Sequence, residues 1–286
     1  MNLAIYKFKK DSKVNPEQMH LVFAQRGHFR SFIESQQVTY PYHIGRCLSF
    51  PDDPPKLCNV YIQSCSGGMF DFDRWRSSVI VKESAQVHLS TSASNIIHRC
   101  DEDYAEQIQT FEVEENAYLE FIPMSNILFP KSKLHSKIDI RLHNNATVCF
   151  FDSFQASTLN DDQRPFDQFN SEISFYQQDK SDLRERFLIN SDMLRSEKWG
   201  FNGDYKCFGS FYMLGQLKNP VDFINCIHGL KMDQDTYLGI NYLQDSNAIV
   251  IRLIARNSVD FQKIKFNVLN QWRQNQFNKK LLRVRK

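Results

Sequence analysis

Two short alternating segments decide the fold: Gln109-Thr110-Phe111-Glu112-Val113-Glu114 and Tyr118-Leu119-Glu120-Phe121-Ile122, joined by Glu115-Asn116-Ala117. Apolar and polar side chains alternate over most positions of each segment, which is typical of a β-strand with one buried face. The link is short and polar and carries Asn, a residue that turns favour. The stretch therefore predicts a strand, a turn and a second strand.

The same pattern recurs on both sides of this stretch. Further strands are predicted at 57–63, 78–82, 86–91, 137–142, 147–151, after residue 171, and at 206–214, 236–243 and 248–255. No repeat of fixed period and no linker rich in Gly, Ser or Pro is visible. Short strands with period-two patterning and polar turns indicate an all-β protein, as a sandwich, a barrel or a stacked β-coil. One domain over residues 1–286 is the simplest expectation.

Two helices are predicted beside these strands. The run Asn219-Pro220-Val221-Asp222 has a capping residue, proline at the first helical position and an acid in the first turn, with Gly229 as the stop. The second helix is expected from residue 258 to about residue 282, with apolar side chains near one face (Phe261, Ile264, Val268, Trp272 and Leu281). Basic residues near the chain end (Lys279, Lys280, Arg283, Arg285 and Lys286) would either stabilise the negative end of that helix or dock an acidic partner.

Composition excludes several classes of protein. Among 286 residues, 35 are basic and 33 acidic, a net charge of +2, so the concentrated basic face of a nucleic-acid binder is not expected. No run approaches the roughly 18–20 apolar residues of a membrane helix, and Lys7 interrupts any signal sequence. The seven cysteines form no C-x-x-C pair, which favours free thiols in the cytoplasm.

Motifs for catalysis are missing from the sequence. It contains no G-x-S-x-G, no G-x-x-x-x-G-K-[ST], no G-x-G-x-x-G and no H-E-x-x-H. No two of its eight histidines lie three or four residues apart, so the sequence has no local pattern for a metal site on a helix. The sequence predicts no enzyme and no tightly bound cofactor, and it leaves the residues of any metal site undefined.

The segment Gly67-Gly68-Met69-Phe70-Asp71-Phe72-Asp73-Arg74-Trp75 combines a glycine pair with two carboxylates among aromatic residues. The glycines permit a positive φ and close backbone approach. Carboxylates among aromatic side chains need hydrogen bonds or a cation. Asp73 is therefore expected either to pair with Arg74 or Arg76 or cap a backbone amide, or to line a passage or contact a partner.

An ordered set of residues across almost the whole chain resembles the urease accessory proteins called UreD, or UreH in some species. Tyr40-Pro41 is similar to the family's Tyr-Pro, and the stretch from Gly67 to Arg74 to its P-P-G-G-L-V-G-G-D-x-L loop. The stretch 89–95 resembles L-T-T-Q-x-x-T, and Arg99 closes it. The stretch 119–130 resembles L-E-W-L-P-Q-E-x-I-L-F, and Gln271-Trp272-Arg273 resembles the family's ending.

Several polar positions differ from the family pattern. Asp71-Phe72 replaces the second glycine pair, Ser92 replaces a glutamine and Met124-Ser125 replaces Gln-Glu. The family's Trp-Glu strand ending reads Phe151-Asp152. Such changes are expected to alter the hydration and cation affinity of a wet passage more than the fold.

The resemblance implies a β-helix-like stack of short strands with two helices, one near the C-terminus. It also implies a scaffold that binds apo-urease and UreF, reaches the GTPase UreG through UreF, and assists nickel insertion, with nickel passing transiently along a polar route. Matching positions imply that Asp71, Asp73, Thr91, Ser92 and Asp152 line the passage or contact a partner. Gly67 and Gly68 would shape the loop, and Trp272 and Arg273 would offer a partner surface unless they pack in the core.

Two alternatives remain open at this point. An all-β ligand-binding module, of the carbohydrate-binding kind, would stack a sugar on exposed rings such as Trp75 and Tyr118. A direct nickel store would instead use His and Cys side chains.

Overall fold

The computed structural model describes residues 16–157, 166–177, 180–190, 192–193, 205–232 and 234–280. Seventeen strands run through these residues: β1 (Met19–Ala24), β2 (Phe32–Val38), β3 (Tyr42–Ile44), β4 (Leu57–Ser64), β5 (Arg74–Val81), β6 (Gln86–Thr91), β7 (Asn95–Ile97), β8 (Ala105–Val113), β9 (Tyr118–Phe121), β10 (Asn126–Leu128), β11 (Lys133–Leu142), β12 (Thr147–Ala156), β13 (Gln168–Gln177), β14 (Lys180–Ile189), β15 (Cys207–Gly215), β16 (Thr236–Leu243) and β17 (Ala248–Ala255). The two helices described in full are α1 (Pro220–His228) and α2 (Ser258–Phe277).

The strands form two sheets that face each other. Sheet A has the order β14-β13-β11-β8-β5-β1-β2, and sheet B runs β16-β17-β15-β12-β9-β6-β4-β3. The short strands β7 and β10 pair in parallel with each other, and β10 also pairs with β12. The chain alternates between the sheets from β4 to β13 and so builds a stack of about four turns. The predicted all-β, β-helix-like stack with two helices is confirmed.

Successive turns of the stack lie in parallel register but differ in length. On sheet A, positions 79, 111, 140 and 175 are neighbours, which are steps of 32, 29 and 35 residues. On sheet B, positions 60, 89, 121 and 150 are neighbours, with steps of 29, 32 and 29 residues. Because the turns vary in length, the sequence shows no fixed period.

The helices pack together on the outer face of sheet B. Phe261, Ile264, Val268 and Trp272 of α2 are buried against it, as predicted, while Leu281 lies outside the described residues. Helix α2 ends at Phe277 because Asn278 turns to φ 53°, earlier than residue 282. Its last turn carries no basic residue; Lys279 and Lys280 follow the C-cap, and Arg283, Arg285 and Lys286 lie outside the described residues.

Helix α1 has the predicted bounds. Pro220 opens it, Asp222 lies in its first turn and Gly229 ends it. Asn219 stands at the capping position but makes no side-chain cap, because its backbone is left-handed. No helix in the described part of the chain is long and apolar enough to cross a membrane.

Candidate functional site

The space between the two sheets holds two apolar clusters. The larger cluster includes Val79, Phe111 and Phe150, and the smaller one includes Trp75 and Phe154. Side chains two apart on a strand share a face, so the residues between members of the two clusters also point into the stack. These intervening residues are mostly polar.

Sheet A contributes serines and a glutamine to this polar layer. Ser77, Gln109, Ser136 and Ser171 are at most 7 % exposed and lie on the inner face of β5, β8, β11 and β13. The Gln109 amide donates a long hydrogen bond of 3.5 Å to the Ser77 hydroxyl. Among the described residues, the Ser171 hydroxyl has no hydrogen-bond partner. A buried, unpartnered hydroxyl is uncommon in a folded interior.

Sheet B contributes a second polar row opposite. Asp152 stands beside Ser210, and Ser210 stands beside Arg252, on three neighbouring strands. Asp152 lies between Phe150 and Phe154 on β12 and therefore points inward. Thr91, one of the predicted site residues, ends β6 two positions after the inward-facing Leu89. Its hydroxyl accepts the Met124 N–H at 2.8 Å.

The polar layer reaches a cleft at the β14–β17 end of the stack. The cleft has a volume of about 300 Å³ and is lined by polar and apolar residues of both sheets, including Asp152, Glu185, Ser210, Tyr212 and Arg252. Arg252 donates to Glu185 and to Ser210, both at 2.6 Å. The Tyr212 hydroxyl also donates to Glu185. An ion pair thus joins sheet A to sheet B across the cleft.

Asp152 is the carboxyl group beside this bridge. Burial raises its pKa to about 6, and the negative charge of Glu185 adds to the shift. No basic side chain in the described ranges forms an ion pair with Asp152, since Arg252 is held by Glu185. The cleft therefore has a carboxyl group with a raised pKa and no described ion pair.

The two carboxylates of the loop that follows Gly67 and Gly68 accept hydrogen bonds from nearby backbone N–H groups. Asp71 accepts the N–H groups of Asp101, Glu102 and Asp103 at 2.9–3.0 Å. Desolvation opposes ionisation of Asp71, but these donors outweigh it and lower the pKa of the group. Asp73 accepts the Phe70 N–H at 2.8 Å. Amide capping, one of the two roles expected for Asp73, is therefore present.

The two glycines of this loop differ in whether the backbone could accept another residue. Gly68 has φ +134°, and a Cβ there would lie 2.2 Å from the Ile96 carbonyl oxygen, so the backbone requires glycine. A Cβ on Gly67 would meet nothing within 4 Å. Ser92 is exposed in the turn after β6, and its N–H donates to the Ile62 carbonyl at 2.9 Å. No described hydrogen bond or ion pair connects Asp71, Asp73 or Ser92 to Asp152.

Trp272 and Arg273 do not present a surface. Trp272 is 0 % exposed and Arg273 is 2 % exposed, so the expectation of a partner surface at these two residues is wrong. The Trp272 indole donates to the Tyr118 hydroxyl at 2.7 Å. Both side chains face sheet B because the apolar face of α2 is covered by that sheet. Core packing, the other expectation for Trp272, is what the structure has.

Arg273 is the centre of a buried polar network that the sequence did not predict. It donates to Glu120 at 2.7–3.1 Å and to Asp53 at 3.1 Å. His88 Nδ1 lies 2.8 Å from the same Glu120 carboxylate. Burial opposes ionisation of Glu120, but the Arg273 charge and the His88 hydrogen bond outweigh it and lower the pKa to about 2. Glu120 and His88 are polar residues within strands that are otherwise buried. This interruption is the sequence feature that could have predicted the network.

The stacking platform expected for a carbohydrate-binding module is also wrong. Trp75 is 5 % exposed and Tyr118 is 6 % exposed, because the first lies in an apolar cluster between the sheets and the second lies under α2. Within the ranges that the structure describes, no group of three or more His, Cys, Asp or Glu side chains could hold a metal ion.

Comparison with known proteins places the chain among urease accessory proteins. Residues 16–286 match the family model described as UreD urease accessory protein. The chain is 31 % identical over 242 residues to "Urease accessory protein UreD 1" of Pseudomonas syringae pv. syringae, a match that covers 84 % of this chain and 85 % of that protein. It is 29 % identical over 243 residues to the protein of the same name in Pseudomonas syringae pv. tomato, with the same two coverages.

A more distant relative gives the same assignment. The chain is 27 % identical over 247 residues to "Urease accessory protein UreD 1" of Methylorubrum populi, covering 83 % of this chain and 81 % of the relative. The stacked turns, the two helices and these matches agree with one another, and the chain belongs to the UreD urease accessory protein family.

Proposed function

We propose that this chain is a non-catalytic scaffold in urease maturation, which binds apo-urease and UreF and reaches UreG through UreF. Family membership over residues 16–286 supports this role. The observation that carries the finer proposal is the polar layer between the two apolar clusters of the stack. No second function is favoured by an observation of comparable weight.

The polar layer supports a route for nickel through the protein. Hydroxyl, amide and carboxylate oxygens stabilise water and divalent cations, which hydrocarbon does not. Ser77, Ser136 and Ser171 supply such groups from sheet A. Thr91 and Asp152 supply them from sheet B, and the layer meets solvent at the cleft beside Arg252. Nickel in this scheme is cargo in transit, so no tightly bound cofactor is proposed.

The negative charge of Asp152 would attract cations into the route. The group is ionised above its pKa of about 6 and protonated below it. An ionised carboxylate in a low-dielectric cleft attracts a divalent cation more strongly than it would in water. A weak, single carboxylate also releases the cation readily, which suits passage better than storage.

The other predicted site residues take different parts. Asp71 and Asp73 hold the loop that precedes β5, and Ser92 is exposed in a neighbouring loop. We propose these loops as contacts for protein partners. A cytoplasmic location fits the seven free cysteines and the urease-maturation role.

Complementation tests the function directly. The chain is expressed with a urease operon that lacks its own UreD gene, and urea hydrolysis is measured in lysates. Restored hydrolysis, with UreF recovered in a pull-down at micromolar concentration, is the expected result. Failure to capture UreF would overturn the scaffold proposal.

A charge-removing variant tests the nickel route separately. Asp152→Asn is expected to lower urea hydrolysis about tenfold or more while the UreF pull-down is unchanged. Asp245→Asn, in an exposed turn before β17, is the matched control and should hydrolyse urea like the wild type. Equal hydrolysis by all three proteins would exclude a role for the Asp152 charge and leave the scaffold role intact.

A further inference from the structure

Two cysteines outside the polar layer form a close thiol pair. Cys47 lies in the segment between β3 and β4, and Cys58 is the second residue of β4. The Cys58 S–H donates to the Cys47 sulfur, with 2.9 Å between the two Sγ atoms. A disulfide bond is about 2.05 Å long, so the sulfurs need to approach by roughly 0.9 Å to bond.

The two thiols differ in their exposure to solvent, which suggests a different role for each. Cys58 is 0 % exposed and packs in the larger inter-sheet cluster. Cys47 is partly exposed at the edge of the same cluster, where a small oxidant can reach it. An accessible thiol beside a buried one is the arrangement of an attacking and a resolving cysteine.

Electrostatics support the same division. The hydrogen bond from Cys58 lowers the pKa of Cys47 to about 7, although burial opposes the shift. The same hydrogen bond, together with burial, raises the pKa of Cys58. A thiol whose pKa lies near the ambient pH combines a large thiolate fraction with good nucleophilicity.

From this geometry we propose that Cys47 and Cys58 are a redox-modification site, which hydrogen peroxide converts to an intramolecular disulfide. The Cys47 thiolate attacks a peroxide oxygen, the O–O bond breaks, and Cys47 sulfenic acid and hydroxide form. The Cys58 sulfur then attacks the Cys47 sulfur, the S–O bond breaks, and the Cys58 proton leaves with the hydroxyl group as water. The two sulfurs are oxidised and the peroxide is reduced.

The disulfide would join the two ends of a loop that contacts α2. Residues 47–58 include Asp53, which accepts hydrogen bonds from Arg273 of α2 and from Asn59. In a reducing cytoplasm the pair stays as thiols, and an oxidant pulse closes it reversibly. The site does not depend on the proposed nickel route, because neither cysteine belongs to the polar layer.

Thiol mapping tests the proposal on the full chain. The reduced protein is treated with hydrogen peroxide, denatured, alkylated and digested for mass spectrometry. We expect alkylation to be lost at Cys47 and Cys58 alone among the seven cysteines, with a loss of two hydrogen atoms from the intact mass. Dithiothreitol should restore both sites. A disulfide between other cysteines, or full alkylation at 47 and 58 after peroxide, would overturn the proposal.

Variants separate the two roles and control for exposed thiols. In Cys58→Ala, dimedone should trap a sulfenic acid at Cys47, whereas in Cys47→Ala the thiol at 58 should stay alkylatable. The double variant Cys65→Ser, Cys226→Ser removes the two exposed cysteines and should close the disulfide like the wild type. If a variant at 58 does not fold, the peptide map of the wild type and of this double variant still decides the outcome.

Discussion

The two faces of sheet B differ in how they treat buried polar groups. On the outer face, Arg273, Glu120 and Asp53 under α2 satisfy one another with hydrogen bonds of 2.7–3.1 Å. On the inner face, Asp152 has no described ion-pair partner, and the Ser171 hydroxyl of the opposing sheet has no hydrogen bond. A fully satisfied network fixes a structure, whereas an incompletely satisfied one leaves groups for a ligand or water. The outer face therefore holds the helix, and the inner face is the one that we propose for the nickel route.

Removing the central cation of the outer network gives the largest expected effect. Arg273→Met leaves Glu120 and Asp53 as buried carboxylates without their cation and should reduce the free energy of unfolding by roughly 3–5 kcal/mol. Urea unfolding monitored by circular dichroism measures the change. Arg99→Met is the control, because its pair with Asp101 is more than half exposed and should contribute less than about 1 kcal/mol. Similar losses in the two variants would remove the contrast between the faces.

Asp152→Asn should increase the free energy of unfolding, in contrast to Arg273→Met. A carboxyl with a pKa of about 6 in the folded chain and 3.8 as its ordinary value binds its proton more tightly when folded. Folding stability then falls as pH rises from about 4 to about 6 and stays reduced above that window. The variant should be more stable than the wild type by about 3 kcal/mol at pH 7.5 and by less than about 1 kcal/mol at pH 4. A gain that is the same at both pH values would contradict the assignment to this carboxyl.

Lys265 is the exception on the outer face, a buried cation without a described ion pair. Its ammonium donates to the Pro123 carbonyl at 2.6 Å and lies 4.6 Å from the centre of the Phe151 ring. Burial lowers its pKa to about 7, so the unfolded chain binds the proton more tightly, and stability rises as pH increases from about 7 towards 10.5.

Lys265→Met should abolish that rise, which is of the order of 1 kcal/mol between pH 7 and pH 8.5. Unfolding curves of the two proteins across this range measure the slope. Lys263→Met, at an exposed position of the same helix, should keep the slope of the wild type.

The smallest expected effect separates an unpartnered hydroxyl from a partnered one. Ser171→Ala removes a buried hydroxyl that makes no described hydrogen bond, and should change stability by less than about 0.5 kcal/mol. Ser153→Ala removes the partner of the buried Ser125 hydroxyl, 2.8 Å away, and should destabilise by about 1 kcal/mol. Thermal melts of both variants show the difference. An equal loss at the two positions would mean that the Ser171 hydroxyl is not unpartnered in solution.

Strand periodicity predicted most of the fold. The alternation in 86–91, 109–114 and 137–142 corresponds to β6, β8 and β11, since their inner faces are apolar. The strands β1 to β3 were not predicted: β2 lies at a sheet edge with mainly exposed side chains and gives no apolar period, and β1 is a buried apolar run without alternation. Pairing of the strands was not readable from the residues, because steps of 29 to 35 residues leave no repeat.

The sequence identified only some of the residues of the polar layer. Thr91 and Asp152, which the resemblance implied for a passage, lie on the inner side of sheet B, and their role in a passage stays a prediction. Ser77, Gln109 and Ser171 were missed, because single polar residues inside alternating strands look like ordinary strand variation until the sheets face each other. Arg273 was taken for a surface residue since its partners Asp53 and Glu120 are 220 and 153 positions away.

Arg273 also sets an order of events during synthesis. Chains fold from the N-terminus as they leave the ribosome, and the turns of the stack can add one after another on that schedule. The carboxylates of Asp53 and Glu120 are synthesised 220 and 153 residues before the guanidinium of Arg273 that pairs with them. Until α2 has been synthesised and folds, the outer face of sheet B has two acids without their cation and an apolar surface without its cover. Covering this face is therefore a step that follows the synthesis of all the described strands.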